Sequence, residues 1–312
     1  MRIGLIGVPY NSAGTTDGVA HAPAALRAAG LVTALRAAGE VRDLGDVPVT
    51  TPTAERDPAS GIIAPAHLIS MVQGVHALVQ QALRDDRLAV VVGGDCPVLL
   101  GCLAAAKERH GRVGLLFVDG HEDAWPPALS PTGEAADMEL GLALGVMTVP
   151  TLPTLAATLP LVQASDVVVL GPRDAAELRV AAVPTLADHV AFFSDAALRA
   201  GDLTALTRAA IQQVQARAGP WWLHVDLDVL STAALPAIDY PQPDGLSWDH
   251  LAAVTMAALS TARPVGWNVT IYNPDRDPDG SAAARIVAYI GDIARILGSG
   301  DAAGERARPC QE

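Results

Sequence analysis

The chain has 312 residues, 50% of them hydrophobic and 18% charged, so it can bury a sizeable core and is not a disordered chain. Lys and Arg number 21 against 34 Asp and Glu, and the formal charge of −13 disfavours nucleic acid and anionic membrane surfaces as partners. The N-terminus lacks the long apolar segment of a signal peptide, and Cys96, Cys102 and Cys310 do not form a disulfide framework, so a cytoplasmic location is expected.

Short apolar runs alternate with longer Ala- and Leu-rich stretches of helical period, the pattern of parallel strands joined by crossover helices, which predicts an α/β fold. A strand is predicted over Ile3–Val8, a helix over Pro23–Ala29, a strand over Val41–Leu44 and a long helix over Pro65–Arg84. The third strand, Leu88–Val92, runs into Gly93, Gly94, Asp95 and Cys96, a glycine turn opening a helix over Pro97–His110. Cys96 thus falls at a helix N-terminus, where a thiol becomes a thiolate ligand or nucleophile; a small buried apolar residue is the plainer reading.

The fourth strand, Val113–Val118, is followed by Asp119, His121 and Asp123 at every second position, so the three are expected to point the same way. The uncharged stretch Leu140–Gln163 has the length of a membrane span, but Pro150, Pro153 and Pro160 argue against one. Strands at Asp166–Leu170 and Val190–Phe193 precede a helix over Asp202–Ala218. The seventh strand, Trp221–Asp226, repeats the alternating device with His224, Asp226 and Asp228. A helix over Trp248–Thr261, a strand over Val265–Ile271 and a helix over Ser281–Leu297 complete a single domain of residues 1–297. Residues 298–312, small and charged, are expected to be a flexible tail.

Carboxylates converging from two strand ends repel one another strongly unless cations sit among them, and the carboxyl edge of an open α/β sheet is where ligands bind. Two divalent metals would neutralise them. Capping of the next helix or turn is the plainer role for such acids.

Together these residues resemble the ureohydrolase (arginase/agmatinase) superfamily. Its signatures Gly-Gly-Asp-His, Asp-Ala-His-x-Asp and Ser-x-Asp-x-Asp stand here as Gly93 to Cys96, Asp119 to Asp123 and His224 to Asp228. The resemblance implies a three-layer sandwich with an about eight-stranded, mostly parallel sheet. It implies two divalent metal ions, manganese foremost, held by Cys96, Asp119, His121, Asp123, Asp226 and Asp228. It also implies an activated water, oriented by Asp123 or Asp228, that attacks a small cationic guanidino or amidino substrate and releases urea. A homo-oligomer, trimer or hexamer, belongs to the same expectation.

The chain departs from the family pattern at several positions. Cys96 stands where the family has a histidine, and soft thiolate draws one site toward Zn²⁺ or Fe²⁺; a Cys there also resembles the hydroxyarginine hydrolase branch. Trp125, Thr132 and Ala136 occupy the positions of an Asn, a Ser and a proton-shuttling His, and Ile271 that of the guanidinium-binding Glu. Glu134 or Asp137 would then replace the shuttle. Substrate contacts are expected from Trp125, as a cation–π platform or a loop anchor, from Thr132, and from Asp174 in the turn after Gly171. Glu122, Glu134, Asp137 and Glu139 beside the metal loop, and Asp275, Asp277 and Asp279 near the end, would grip a cationic amine or guanidine from another direction; a solvated helix start is the plainer reading of Glu134, Asp137 and Glu139. His224 is expected to hydrogen-bond rather than ligate, and His67 and His76 to be structural. Two other readings stay open: a thiol hydrolase using Cys96 with His121 as base, and a non-catalytic metal-binding scaffold or regulatory protein.

Overall fold

Each of the eight apolar runs is a strand in the computed structural model, which describes residues 1–147, 149 and 152–306, with side chains to residue 299. The strands are β1 (Arg2–Val8), β2 (Glu40–Asp46), β3 (Leu88–Gly93), β4 (Gly114–Val118), β5 (Val167–Leu170), β6 (Ala191–Phe193), β7 (Trp221–Asp226) and β8 (Gly266–Thr270). They form one sheet in the order β2-β1-β3-β8-β7-β4-β5-β6, and every pairing is parallel.

The helices, in chain order, are α1 (Ala22–Ala28), α2 (Leu31–Arg36), α3 (Pro65–Arg84), α4 (Val98–His110), α5 (Glu139–Leu144), α6 (Pro153–Ala156), α7 (Ala175–Val180), α8 (Asp195–Ala200), α9 (Leu203–Ala218), α10 (Trp248–Thr261) and α11 (Ser281–Arg306). They cover both faces of the sheet, which is why the strands read as continuous apolar runs. Along β4, Leu116 and Val118 join a core with Leu26, Ile211, Val254 and Ile290 of α1, α9, α10 and α11. Leu115 and Phe117 join the opposite core with Leu68, Val75 and Leu103 of α3 and α4. The three-layer sandwich follows from that alternation.

Helices α9 and α10 start where the sequence offers caps: Asp202 accepts from the amide of Ala205, and Ser247 from that of His250. Helices α2, α5, α6, α7 and α8 were not expected; each has four to six residues, too short to display a helical period. Helix α11 continues past Leu297 to Arg306, so a helix runs into the segment expected to be a flexible tail. Residues 307–312, with Cys310, lie outside the described residues, as do Thr148, Pro150 and Thr151. Among the described residues no helix is long and apolar enough to cross a membrane; the uncharged stretch holds the short α5 and α6 instead.

Strands β3 and β4 are consecutive in the chain but separated in the sheet by β8 and β7. This reversal of strand order opens a crevice at the carboxyl ends of these four strands. Val118 pairs with Val225, and Asp226 with Thr270, so Asp119, Asp226 and Thr270 leave the sheet side by side. The turn after β3 closes on them from the other flank. It passes so near the chain at Tyr10 that a Cβ on Gly94 would lie 1.9 Å from the Tyr10 carbonyl oxygen, and only glycine fits.

Candidate metal centre and cavity

The glycine turn delivers Cys96 to the crevice floor, where Sγ contacts Asp226 Oδ2 and lies 3.1 Å from Thr270 Oγ1. The expected strand alternation holds only in part. Strand β4 stops at Val118, and Asp119, His121 and Asp123 belong to a loop in which Asp123 takes a φ of 45°. They still converge: one ligand atom from each lies within 4.8 Å of the others. Asp228 likewise sits in a 3-10 turn after β7, where its amide donates to Asp226 Oδ1 at 2.6 Å. Asp119, Asp226 and Asp228 form a second such group, and Cys96, Asp119, Glu139 and His224 a third. Asp119 is common to all three.

The electrostatics of this cluster call for a cation. Burial, and then the charge of neighbouring carboxylates, pushes Asp119, Asp123 and Asp226 above the usual carboxylate range. Burial and then Asp226 push the Cys96 thiol well up. Burial alone would raise Asp228 too, but His121 Nδ1 at 2.8 Å and the Gly120 amide at 3.0 Å hold it below its ordinary value. His121 is correspondingly raised to about 9: burial opposes its charge, and Asp228 and Asp119 outweigh burial. Asp119 Oδ2 and both carboxylate oxygens of Glu139 are buried with no hydrogen-bond partner. Carboxylates, imidazole and thiol crowded together with orphaned oxygens are a donor set that fits divalent metal ions.

Glu139 is the main correction to the sequence reading. It is fully buried at the start of α5 rather than part of a solvated helix start. The legible signal was an acid opening an otherwise uncharged helix, Leu140–Leu144, whose residues are all buried.

His224 behaves as expected, and donor polarity shows why. Trp222 Nε1–H can only donate, and it donates to Asn268 Oδ1 at 2.8 Å. Asn268 Nδ2 therefore donates to His224 Nδ1 at 2.7 Å, which leaves the ring proton on Nε2, 3.5 Å from Asp119 Oδ2. The ring also stacks on Phe117 with centroids 4.6 Å apart. His224 thus presents an N–H to Asp119, not a lone pair to a metal. Asn268→Leu strands the indole N–H and the imidazole Nδ1 in the core. At about 1–3 kcal/mol for each unsatisfied buried group, urea denaturation should show a loss of roughly 2–6 kcal/mol.

Above the cluster lies a cavity of about 220 Å³, with Asp123, Asp226 and Asp228 toward its floor, acidic walls from Glu134, Asp137, Asp174 and Glu177, and no Lys or Arg among its lining residues. Glu134 accepts from Tyr240 Oη at 2.5 Å, and burial raises its carboxyl. Asp137 Oδ2 accepts from Ser130 and Thr132 hydroxyls at 2.7 and 2.8 Å while Oδ1 is buried with no partner, and burial raises this carboxyl to about 6. The Thr132 hydroxyl, which also accepts from the Glu134 amide, is engaged within its own loop. Asp174 lines the wall with Oδ2 on the Glu122 amide, and burial raises it to about 6. Trp125 packs on Leu178 and Val183 and borders the cavity, so it is at least a loop anchor.

Other singled-out acids lie elsewhere. Glu122 is buried and faces away, accepting from Thr185 Oγ1 and the Leu186 amide. Asp275 takes the Gly18 amide, Asp277 the first amides of α11, and Asp279 the Ser281 amide, so these three cap turns and a helix. His67 stacks on Tyr10 and His76 pairs with Glu108. Sequence reasoning missed Tyr240 and Glu177, whose surroundings carry no periodic signal. Ile271 does reach the cavity, at a φ of 71° unusual for a β-branched residue, with its amide held by Gly94 O at 2.8 Å.

The Arginase family model matches residues 1–293. The arginase of Bacillus caldovelox is 28% identical over 299 residues, covering 93% of this chain and 97% of that protein. Its solved structure superposes with a TM-score of 0.82 at 24% identity, covering 95% of this chain and 98% of that one. Proclavaminate amidino hydrolase from Streptomyces clavuligerus superposes with a TM-score of 0.70 at 19% identity, covering 95% and 92%, a likeness of fold.

Proposed function

The chain belongs to the arginase family, and on that footing we propose that it is a two-metal hydrolase cleaving a carbon–nitrogen bond of a small cationic guanidino or amidino compound, with release of urea. One observation carries this reading: Asp119 clusters with Cys96, His121, Asp123, Asp226 and Asp228, and these last five line an acid-walled cavity. These six would hold two divalent ions, manganese among the hard oxygen donors and Zn²⁺ or Fe²⁺ toward the thiol. Such ions, when bound, lower the pKa of water and polarise the substrate.

The protein's own groups do the rest. Asp123 or Asp228 accepts a hydrogen bond from the attacking water and orients it. The cavity acids attract the cation and Trp125 offers it an indole face. Asp137, with Oδ1 unpartnered and its carboxyl raised to about 6, and Glu134 beside it would carry a proton toward the leaving nitrogen in place of a histidine. Asp174 contributes charge from the wall. Because no Lys or Arg lines the cavity and Glu134, Asp137, Asp174 and Glu177 do, a substrate carboxylate would find no cationic side chain to pair with and would be repelled by the walls. Amine-ended guanidines such as agmatine should therefore be turned over faster than arginine. A cytoplasmic homo-oligomer, trimer or hexamer, completes the reading and is checked by light scattering.

The test is urea release from agmatine, arginine, guanidinobutyrate, hydroxyarginine and guanidine, measured before chelation, after it, and after adding Mn²⁺. Urea from at least one compound, lost with the metal and regained with it, is expected. Metal binding without turnover of any amidine would favour the scaffold. Turnover that survives chelation but not Cys96→Ala would favour the thiol hydrolase. That alternative is opposed by a buried thiol pushed up in pKa and by His121 turned to Asp228.

A further inference from the structure

Helix α5 is fixed by its apolar residues, Leu140, Leu142 and Ala143 being fully buried, and the Gly141 amide donates to the Asp123 carbonyl at 3.0 Å. Its first residue, Glu139, is thereby held against the Asp123 loop with no access to solvent. Neither carboxylate oxygen has a hydrogen-bond partner, and its side chain neighbours the Asp123 carboxylate, another acceptor. One of its oxygens lies within 4.8 Å of Cys96 Sγ and of an Asp119 oxygen. The fourth member of that group, His224, points an N–H rather than a lone pair, so the groups able to ligate there are one thiol and two carboxylates. Sulfur in such a set selects a softer ion than oxygen and imidazole do.

We propose that Glu139 is a metal ligand, its carboxylate joining Cys96 Sγ and an Asp119 oxygen on one thiophilic divalent ion of the Zn²⁺ or Co²⁺ class. The second ion then keeps to the oxygen and imidazole donors around His121 and Asp228, and the centre is chemically asymmetric. This inference rests on the metal-binding reading above.

The experiment loads chelated, full-length protein with Co²⁺. It reads metal per chain by elemental analysis, Co²⁺ affinity by titration, and thiolate-to-cobalt charge-transfer absorption in the near ultraviolet. Wild type should bind two Co²⁺ with that band present. Glu139→Gln keeps the volume and can still donate to Asp123, but offers no charge. It should bind the thiolate-linked ion at least tenfold more weakly and lose the band at Co²⁺ concentrations that saturate wild type. Unchanged affinity and band in Glu139→Gln would overturn the proposal, leaving Glu139 a protonated acid that donates to Asp123, while the two-metal hydrolase stands. No Co²⁺ on wild type would sink both. Should circular dichroism show the Gln variant unfolded, Glu139→Asp decides: its retracted carboxylate should weaken that ion tenfold or more, and wild-type affinity there would overturn the proposal.

Discussion

Asp119→Asn should lower kcat/KM by about three orders of magnitude or more and leave fewer than two metal ions per chain. Asp119 alone belongs to all three ligand-capable groups of the centre, so its charge faces both metal positions. The replacement is isosteric and keeps an oxygen to accept the His121 amide, which Asp119 Oδ1 now does at 2.7 Å. What it removes is negative charge in a fully buried site. Two-metal stabilisation is worth several kcal/mol, and about 1.4 kcal/mol corresponds to tenfold, which sets the size of the expected loss. Asp137→Asn should cost less, about 10²-fold, the lower end of the range for a missing proton-transfer group. Steady-state kinetics with elemental analysis on the same preparations checks both. Retention of rate within tenfold in Asp119→Asn would refute its placement at the centre.

The metal-free protein should melt at lower temperature as pH rises from about 4 to 9, and divalent metal should flatten that dependence. Burial, followed by the charge of Glu134, raises Asp95 to about 7; burial raises Asp137 and Asp174 to about 6. His121 reaches about 9 because Asp228 and Asp119 outweigh the opposing effect of burial. All four folded-state values exceed the unfolded ones, so the folded chain binds the extra protons. Their stabilisation is complete below the unfolded values and is lost as pH rises through the folded ones. The carboxyls act between about pH 4 and 7, and His121 between about 6.5 and 9. For a chain this long we expect a fall on the order of 10 °C between pH 5 and 8.5. Added Mn²⁺ would replace the proton on His121 and, by its charge, ease the ionisation of the neighbouring buried carboxyls. Calorimetry at the two pH values, with and without metal, decides; a metal-free melting temperature that rises with pH would contradict the argument.

The sheet was legible because buried parallel strands such as Leu88–Gly93 and Trp221–Asp226 are unbroken apolar runs between turn residues. Acids at the ends of such runs stand out, which is how Asp119, Asp123, Asp226 and Asp228 could be read as one cluster. The strand order is not carried by any local pattern; it arises because β7 and β8 insert between β3 and β4. The loop path was also hidden. Asp119, His121 and Asp123 meet through a left-handed backbone at Asp123, not through strand alternation. Glu139 stood out as an acid able to grip a cation but not as a member of the centre, because charge next to other acids reads as surface until the helix it opens is known to be buried on every side. Thr132 looked free to touch substrate, yet its hydroxyl serves the loop.

The hydrogen-bonded line from Trp222 through Asn268 and His224 toward Asp119 runs in one direction and ends in an indole, which gives a hydrogen bond but cannot receive one. Such a line cannot conduct protons, because no hop along it can be refilled from its far end. That line is therefore closed to protons, and protons reach Asp119 by other paths. The indole hydrogen of Trp222 should accordingly be among the slowest in the protein to exchange with deuterium, surviving until the sheet itself opens.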